Sequence, residues 1–476
     1  MLGRLGEDGL LAREVHRFAY AAVRAGGHLR WPFRLVLEGI ETGIREGAAA
    51  ARGLGASLGT VGVDSWAVDY GLLDAEGRLL EDPVAYRDER TAGEPEAVFA
   101  KVPRDEVFRR TGIQFLVFNT LYQLHAHVRE GLPPGAARLL MVPDLCHHHL
   151  CGSLGGEYTN ASTTQLLDAR TGTWDGDLVG RLGLPGALLP EIALPGTELG
   201  TLGCGLQARL EAPPLRVVAP ATHDTGSAVA GTPLRPGWAY VSSGTWSLVG
   251  TERTEPLIDE DVARANFTNE GGAGGTVRFL KNVMGLWILE SCRKEWAARG
   301  LLADHASLLA GVEALPGSCG SFFPDDPRFL NPASMTAEVR ASLAGTGQDA
   351  PDDPVRLARA VLDSLALRYA SVLGTIERLT GRTVEGVHIV GGGSRNDYLN
   401  QATADAAGRP VLAGPEEATA TGNLLVQALA AGRVGSLAEA RAALSTSVRL
   451  RRFEPRNARA WAEAAARFRE VEERRG

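Results

Sequence analysis

The sequence predicts an α/β fold built in at least two domains. The chain has 476 residues, of which 44% are hydrophobic, and one hydrophobic core rarely serves a chain of that length. Segments with helical periodicity alternate with short apolar runs bounded by Gly and Pro, which is typical of layered α/β proteins. The alternation begins again near residue 215, and this favours two α/β halves.

The first half opens with residues 10–18, which follow the turn signal Asp8-Gly9 and which we predict to be a strand. Residues 40–52 are rich in Ala and predict a helix. A buried strand is expected to begin at residues 61–63, and extended chain is expected over residues 67–73.

In the second half, a link rich in Pro and Gly at residues 232–237 predicts a boundary between a domain of residues 1–233 and one of residues 234–476. Two strands, at 238–243 and 246–251, are expected to be joined by a tight turn at Gly244. The other predicted elements are strands at 215–219 and 386–390 and helices at 354–379, 397–407 and 457–473.

Composition excludes two classes of protein. The net charge is −8 and the isoelectric point is about 5.8, whereas a nucleic-acid partner usually requires a basic face. Lysine occurs only at Lys101, Lys281 and Lys294. None of these follows a Gly-rich loop with the spacing GxxxxGK[ST], so the chain is not a P-loop nucleoside triphosphatase.

Cysteine usage and hydropathy predict a cytoplasmic protein with no membrane partner. The five cysteines are odd in number and scattered through a long chain, which is typical of a reduced compartment. No apolar run has the length of a membrane span. The first residues also lack the basic-then-apolar pattern of a secretory signal.

Three polar segments carry the candidate chemistry. The first is His223-Asp224-Thr225, in which a carboxylate within reach of a hydroxyl could take its proton during phosphoryl transfer. On the residues alone, an ordinary helix cap at Asp224 is the commoner alternative.

The other two segments are Gly/Ser turns. Residues 242–245, Ser-Ser-Gly-Thr, offer hydroxyls and backbone N–H groups to phosphate oxygens, although on these residues alone a plain hairpin turn is the commoner alternative. Residues 391–396, Gly-Gly-Gly-Ser-Arg-Asn, join a strand to a helix. Because three consecutive glycines carry a large entropic cost, we favour a ligand there over a simple loop.

Two further segments imitate known sites. The glycines of residues 53–59 resemble a dinucleotide fingerprint, but they follow a helix and precede a strand, which is the wrong order. The cluster Cys146-His147-His148-His149-Leu150-Cys151 resembles a metal site. Adjacent residues of one helix point in different directions, so we expect a half-exposed helix there instead.

In their order along the chain, these segments resemble the FGGY carbohydrate kinases of the actin-like ATPase superfamily. Each motif is modest alone, but the ordered set is specific and covers nearly the whole chain. The further segments that carry the resemblance are residues 63–70, 85–88, 111–115, 118–124, 158–166, 269–272 and 281–287.

The resemblance implies two actin-like (ribonuclease H-like) domains with an interdomain cleft. The sugar would bind mainly to the N-terminal domain, residues 1–233, and ATP mainly to the C-terminal domain, residues 234–476. The implied activity is ATP-dependent phosphorylation of a ketose, L-rhamnulose, with Mg²⁺ accompanying ATP. Sugar and ATP are then the partners of a monomer or small homo-oligomer.

The resemblance also implies site residues. The Asp that organises the metal in the family belongs to its first phosphate loop, which has no counterpart in this chain, so the metal ligand stays unassigned. Asp224 matches the general base. The sugar-contacting positions correspond to Ala67, His223, Thr225 and Asn282, and the ATP-contacting positions correspond to Thr245, Glu290 and Gly392.

The chain departs from the family pattern at three places. Ala67 replaces a sugar-contacting Gly, and Glu290 replaces an ATP-contacting Gln. Met1 aligns just past the first strand and its phosphate loop, so we expect the first strand of the N-terminal domain to be absent. Either the start codon is assigned too late or the chain is truly short; we favour the former, because loss of a central strand exposes its neighbours' edges.

Three other activities remain open from the sequence. One is a kinase for another ketose or polyol, such as fuculose or xylulose. Another is a non-catalytic sugar-binding relative, which the missing loop motivates and Asp224 opposes. The third is a general ATPase of the superfamily.

Overall fold

The computed structural model describes residues 1–6, 9–301 and 304–474, and the chain forms two compact units. The first unit consists of Met1–Pro233, Glu252–Phe279 and Ala418–Ser447. The second consists of Leu234–Thr251, Leu280–Glu417 and Val448–Gly476.

Helices and strands alternate through both units. The α-helices are α1 (Phe33–Gly53), α2 (Glu94–Phe99), α3 (Arg104–Thr111), α4 (Thr120–Glu130), α5 (Val142–Cys151), α6 (Tyr158–Ala161), α7 (Gly176–Leu182), α8 (Cys204–Leu210), α9 (Asp224–Ala230), α10 (Glu260–Ala265), α11 (Trp287–Ala298), α12 (His305–Ala314), α13 (Met335–Gly345), α14 (Pro354–Thr380), α15 (Asp397–Ala407), α16 (Ala418–Ala430), α17 (Leu437–Ser447) and α18 (Ala458–Glu473).

The strands are β1 (Leu2–Gly6), β2 (Gly9–Arg13), β3 (Val23–Ala25), β4 (His28–Arg30), β5 (Thr60–Val61), β6 (Tyr70–Leu73), β7 (Arg138–Met141), β8 (Gly156–Glu157), β9 (Leu167–Asp168), β10 (Thr173–Trp174), β11 (Ile192–Ala193), β12 (Glu198–Thr201), β13 (Arg216–Val218), β14 (Ala239–Ser243), β15 (Trp246–Arg253), β16 (Thr268–Gly271), β17 (Val277–Met284), β18 (Val387–Val390), β19 (Val411–Ala413) and β20 (Arg451–Phe453).

The first unit uses several small sheets. Strands β12, β13 and β5 lie side by side, with β13 parallel to β5. Helices α1, α5 and α8 cover this sheet with a cluster that includes Ile44, Leu150, Leu206 and Val217. Burying apolar side chains between a sheet and its helices supplies the main stabilising free energy of such a layer.

The second unit is organised around a larger sheet. Strand β14 pairs antiparallel with β15 and parallel with β18, which in turn runs parallel to β19. All four residues of β18 are buried, and strands buried on both faces read as continuous apolar runs. The long helix α14 packs against α15 in the same unit.

Four predicted elements differ from those in the structure. The strand expected to begin at residues 61–63 is β5, which ends at Val61. The helix predicted at 40–52 already begins at Phe33, because Phe33 and Val36 are buried and extend its apolar face. The strand predicted at 10–18 ends at Arg13. The extended segment predicted at 67–73 forms a strand only from Tyr70, because Val68 adopts a left-handed backbone with φ of 68°.

The Cys/His segment of α5 is more buried than we expected. Cys146 and His147 are each 1% exposed, since this helix packs against strands β7 and β12 on two sides. The Nε2 atom of His147 accepts a hydrogen bond from the backbone N–H of Val63 at 3.1 Å. Burial lowers the pKa of His147 to about 4, so this histidine is a neutral core residue.

Candidate active site

Asp224 lies at the first position of α9, in the first unit. Its backbone N–H donates to the carbonyl of Ser65 at 2.8 Å, and Ser65 pairs with His223 as an isolated parallel bridge. The carboxylate is 46% exposed, although Thr225 and the rest of α9 are buried. The fold therefore presents an exposed carboxylate at the N-terminus of a buried helix.

The cap interpretation of Asp224 is only partly right. The N-cap residue of α9 is His223, whose side chain makes no capping bond. The Oδ1 atom of Asp224 accepts from the backbone N–H of Thr225 at 2.6 Å and from the Thr225 hydroxyl at 3.3 Å. The carboxylate therefore satisfies one free N–H of the helix and still faces solvent.

Buried polar groups hold His223 on its other sides. Its backbone N–H donates to the hydroxyl of Thr159 at 3.2 Å. The guanidinium of Arg278 contacts Nδ1 through Nη2 at 3.0 Å, and Nε2 lies 3.4 Å from Oδ1 of Asp224. Arg278 lies near the start of β17, in the part of that strand that belongs to the first unit. It is a functional candidate that the sequence did not suggest.

Glu157 anchors the segment that precedes His223. This carboxylate is 1% exposed and accepts bonds from the Thr222 N–H at 2.9 Å, the Thr222 hydroxyl at 2.6 Å and the Thr159 hydroxyl at 2.6 Å. Burial raises the pKa of Glu157, and these donors compensate part of that cost. Glu157 directly precedes the resemblance segment 158–166, but nothing in its sequence context indicated this role.

Ala67 lies in a loop whose shape is fixed on both sides. The carbonyl of its neighbour Val68 accepts from the Thr120 hydroxyl at 2.8 Å and from Nε2 of Gln123 at 3.1 Å. A left-handed backbone is rare for a β-branched residue, so these bonds hold the chain in an uncommon conformation. The loop offers Ala67, partly exposed, as a rigid contact.

Aromatic rings lie next to Ala67. The indoles of Trp31 and Trp66 both donate to Oδ2 of the buried Asp69, at 2.7 and 2.9 Å, and their ring centroids are 4.7 Å apart. The Tyr20 ring lies 6.0 Å from that of Trp66. Burial raises the pKa of Tyr20 to about 12, so its hydroxyl is a neutral hydrogen-bonding group.

A second carboxylate, Asp64, lies one residue before Ser65. It accepts a hydrogen bond from Nδ2 of Asn423 at 2.5 Å, and Asn423 belongs to α16 in the same unit. Burial raises the pKa of Asp64 to about 7, and the negative charge of Asp224 acts in the same direction.

The candidate ATP-contacting residues gather at one end of the sheet in the second unit. Ser242 of β14 pairs with Val390 of β18, so the turn after β14 and the Gly run after β18 leave the sheet side by side. Thr245 is exposed in that turn, and its carbonyl accepts from the N–H of Trp287 at 3.2 Å. Helix α11, which carries Glu290, begins at this point.

The three glycines of the run have different surroundings. A Cβ on Gly393 would lie 2.0 Å from Oγ of Ser243, and one on Gly391 would lie 2.9 Å from the Ser243 carbonyl oxygen. Gly392 has no such neighbour within 4 Å and is exposed. Packing therefore requires glycine on either side, while Gly392 is open for a ligand.

Glu290 has a cationic neighbour. Its Oε2 accepts from Nε of Arg293 at 2.9 Å, one turn further along α11. A carboxylate in place of Gln is expected to repel ATP, and Arg293 offsets part of that charge.

Asn282 lies on β17, in the part of that strand that belongs to the second unit. Its neighbour is Lys281, whose pKa is lowered by burial to about 8.

The structure thus places the sequence-predicted residues in two groups. Ala67, His223, Asp224 and Thr225 belong to the first unit, and Asn282, Thr245, Glu290 and Gly392 belong to the second. Within residues 1–6, 9–301 and 304–474, no group of three or more His, Cys, Asp or Glu side chains could hold a metal ion. None of the described helices combines the length and apolar character needed to span a bilayer.

Comparison with known proteins identifies the class. The chain matches the N-terminal domain of the FGGY family of carbohydrate kinases over residues 55–231 and the C-terminal domain over residues 239–431. It therefore belongs to the FGGY family of carbohydrate kinases, as the resemblance implied.

Two of the similar proteins within this family are rhamnulokinases. A rhamnulokinase of Bacteroides thetaiotaomicron is 40% identical over 471 residues, which are 98% of this chain and 96% of the relative. A rhamnulokinase of Bacillus subtilis is 39% identical over 460 residues, covering 96% of this chain and 93% of the relative.

Solved structures share the fold at low identity. The xylulose kinase of Lactobacillus acidophilus superposes with a TM-score of 0.78 at 16% identity, covering 96% of this chain and 92% of the other. The glycerol kinase of Plasmodium falciparum, solved with ADP, gives 0.76 at 14% identity with the same two coverages. The predicted two-domain, actin-like α/β fold is confirmed.

Proposed function

We propose that this carbohydrate kinase transfers the γ-phosphoryl group of ATP to L-rhamnulose, giving L-rhamnulose 1-phosphate and ADP in L-rhamnose catabolism. The observation that carries the proposal is the exposed carboxylate of Asp224 at the N-terminus of α9, amid buried neighbours. The full-length similarity to rhamnulokinases supports the choice of sugar.

Asp224 is the general base in this proposal. A sugar hydroxyl is a weak nucleophile at neutral pH, and a carboxylate within hydrogen-bond reach takes its proton as the oxygen–phosphorus bond forms. Ala67, His223, Thr225 and Asn282 contact the sugar.

Thr245, Glu290 and Gly392 contact ATP. The grouping of these three residues at one end of the second unit's sheet supports this assignment. We accordingly assign sugar binding mainly to residues 1–233 and ATP binding mainly to residues 234–476.

Magnesium enters the reaction with the nucleotide. Mg²⁺ keeps several waters and binds phosphate oxygens with few protein ligands. We assign it no protein ligand. The enzyme that we propose is cytoplasmic and acts as a monomer or small homo-oligomer, without nucleic-acid or membrane partners.

The product tests the proposal directly. We expect incubation with L-rhamnulose and MgATP to give a single sugar phosphate, whose ³¹P resonance couples to the two protons of C1. A phosphate on any other carbon, or a product formed only with a different ketose, would overturn the assignment.

The Ala67→Gly variant restores the residue that the family carries at this position. A change in KM for L-rhamnulose in this variant would show that the methyl group of Ala67 limits sugar binding.

A further inference from the structure

We propose that Arg278 is a positioning residue for the phosphoryl transfer, because it fixes the tautomer of His223 so that Nε2–H faces the carboxylate of Asp224. The inference rests on the proposed role of Asp224 as the general base. It concerns residues of the first unit alone.

The guanidinium of Arg278 is held in one orientation. The side chain is fully buried, its Nε donates to the carbonyl of Gly271 at 2.7 Å, and its Nη1 lies 3.1 Å from Oε2 of Glu270. Glu270 is itself 5% exposed, so the two charges compensate each other away from water. A buried ion pair with further hydrogen bonds has little freedom to reorient.

This orientation decides where the proton of His223 resides. Nη2 of Arg278 lies 3.0 Å from Nδ1 of His223, and a guanidinium can only donate. Nδ1 must therefore be the accepting, unprotonated nitrogen. Oε2 of Glu270 also lies 3.4 Å from Nδ1, but the guanidinium nitrogen is nearer, and this same oxygen already pairs with Nη1 of Arg278 at 3.1 Å. We therefore assign the proton of the neutral ring to Nε2.

The Nε2–H group then points to the general base. Nε2 lies 3.4 Å from Oδ1 of Asp224, and apo catalytic contacts of this kind commonly tighten when substrate binds. Thr225 already donates to Oδ1 through its N–H and its hydroxyl. Since the contacts found among the described residues converge on Oδ1, Oδ2 is the oxygen left to receive a proton from the sugar.

The chemical step balances with these assignments. The sugar oxygen forms its bond to the γ-phosphorus while the bond between that phosphorus and the departing ADP oxygen breaks. The hydroxyl proton passes to Oδ2 of Asp224. His223 keeps its Nε2 proton throughout and neither gives nor takes one, which is the arrangement that Arg278 enforces.

The tautomer can be read without turnover. In the protein labelled with ¹⁵N-histidine, with the signal assigned by its loss in a His223→Gln variant, we expect a protonated Nε2 and an unprotonated Nδ1 at neutral pH. A protonated Nδ1 in the wild-type protein would overturn the inference. A wild-type protein without L-rhamnulose turnover would contradict the proposed function and would leave this readout intact.

Kinetics provide the second readout. In the Arg278→Gln variant we expect kcat to fall by about tenfold or more, as befits a misoriented general base, while KM for the sugar and for ATP changes little. The Nδ1–H tautomer should appear in the same variant. Because Arg278→Gln also removes the arginine that pairs with the buried carboxylate of Glu270, the double variant Glu270→Gln/Arg278→Gln removes both charges and should show the same two changes.

The chain offers a matched control at the other end of the same helix. Arg441 pairs with Glu252 at 2.7 Å and donates to the carbonyl of Val229 at the C-terminus of α9. The Arg441→Gln variant also removes an ion-paired arginine, whose side chain is 15% exposed, but should keep kcat and the Nε2–H tautomer. An equal loss of kcat in Arg441→Gln and in the double variant would show that Arg278 acts only through stability, and would refute the proposal.

Discussion

At the scale of single residues, the candidate site depends on one exposed carboxylate among buried polar groups. Asp224 is 46% exposed, whereas its neighbours His223 and Thr225 are 7% and 5% exposed. Burial of these neighbours removes side-chain freedom, so the carboxylate is presented in one direction. Preorganisation of this kind is a main source of catalytic power.

Replacement of the proposed base gives the first prediction. The Asp224→Asn variant should lose phosphoryl transfer by about 10³-fold, because the amide cannot take the hydroxyl proton. Its affinity for the sugar should stay within a few-fold, since the amide still forms hydrogen bonds. Steady-state kinetics and calorimetry measure the two effects, and Asp105→Asn, at a carboxylate 75% exposed in the same unit, is the control. Turnover like that of the wild type would remove Asp224 from this role.

Asp64 gives a prediction about pH. Its pKa is raised by burial from 3.8 to about 7, so between these pH values the folded protein binds more protons than the unfolded chain. Stability is therefore lost as pH rises through this window. The Asp64→Asn variant keeps an acceptor for Asn423 and should lose less stability than the wild type over the same interval. Thermal unfolding on both sides of the window tests this, and identical pH dependence in the two proteins would contradict it.

At the scale of elements, α9 is positioned by a helix from far along the chain. Gly422 of α16 approaches α9 so closely that an added Cβ would lie 1.7 Å from the carbonyl oxygen of Ser227 and 2.7 Å from the nitrogen of Gly231. Only glycine permits this backbone approach. The contact fixes the helix that carries Asp224.

A methyl group at this contact should separate the two helices. We expect Gly422→Ala to cost about 1–3 kcal/mol of unfolding free energy and to lower kcat through displacement of α9. Gly180→Ala, at an exposed position of α7 with no neighbour within 4 Å, is the control and should be neutral or stabilising by up to about 1 kcal/mol. Chemical denaturation measures both, and equal stability of the two variants would contradict the packing described.

The Gly run gives a paired prediction. Gly393→Ala should destabilise the second unit, because its Cβ would lie 2.0 Å from Oγ of Ser243. Gly392→Ala has open space and should fold normally, yet raise KM for ATP several-fold if this residue contacts the nucleotide. The two variants separate packing from binding. An unchanged KM for ATP in Gly392→Ala would remove Gly392 from the site.

Much of this arrangement could be predicted from the sequence, because the signals were local. Helix α15 has the predicted bounds, since Asn396 caps it and Gly408 ends it in a left-handed conformation. Helix α1 begins earlier than predicted, because the residues that bury its first turn are distant in sequence. Arg278, Glu157 and Asn423 were missed for the same reason: each reaches the site through contacts that local sequence patterns do not encode.

At the scale of the whole molecule, two segments from the C-terminal half of the sequence belong to the first unit. Residues 252–279 bring Arg278 to His223, and residues 418–447 bring Asn423 to Asp64. The candidate base is therefore supported by side chains from three separate stretches of sequence. Deletions within the C-terminal half of the sequence should therefore destabilise the first unit as well.

Sugar-dependent ADP release by this 476-residue chain with MgATP is the measurement that tests the account most directly. We would compare L-rhamnulose, L-fuculose, D-xylulose and glycerol in one assay, with Asp224→Asn as the blank. The account predicts the highest kcat/KM for L-rhamnulose and no sugar-dependent release in the variant. Release that is the same with and without sugar, or a clear preference for another substrate, would contradict it.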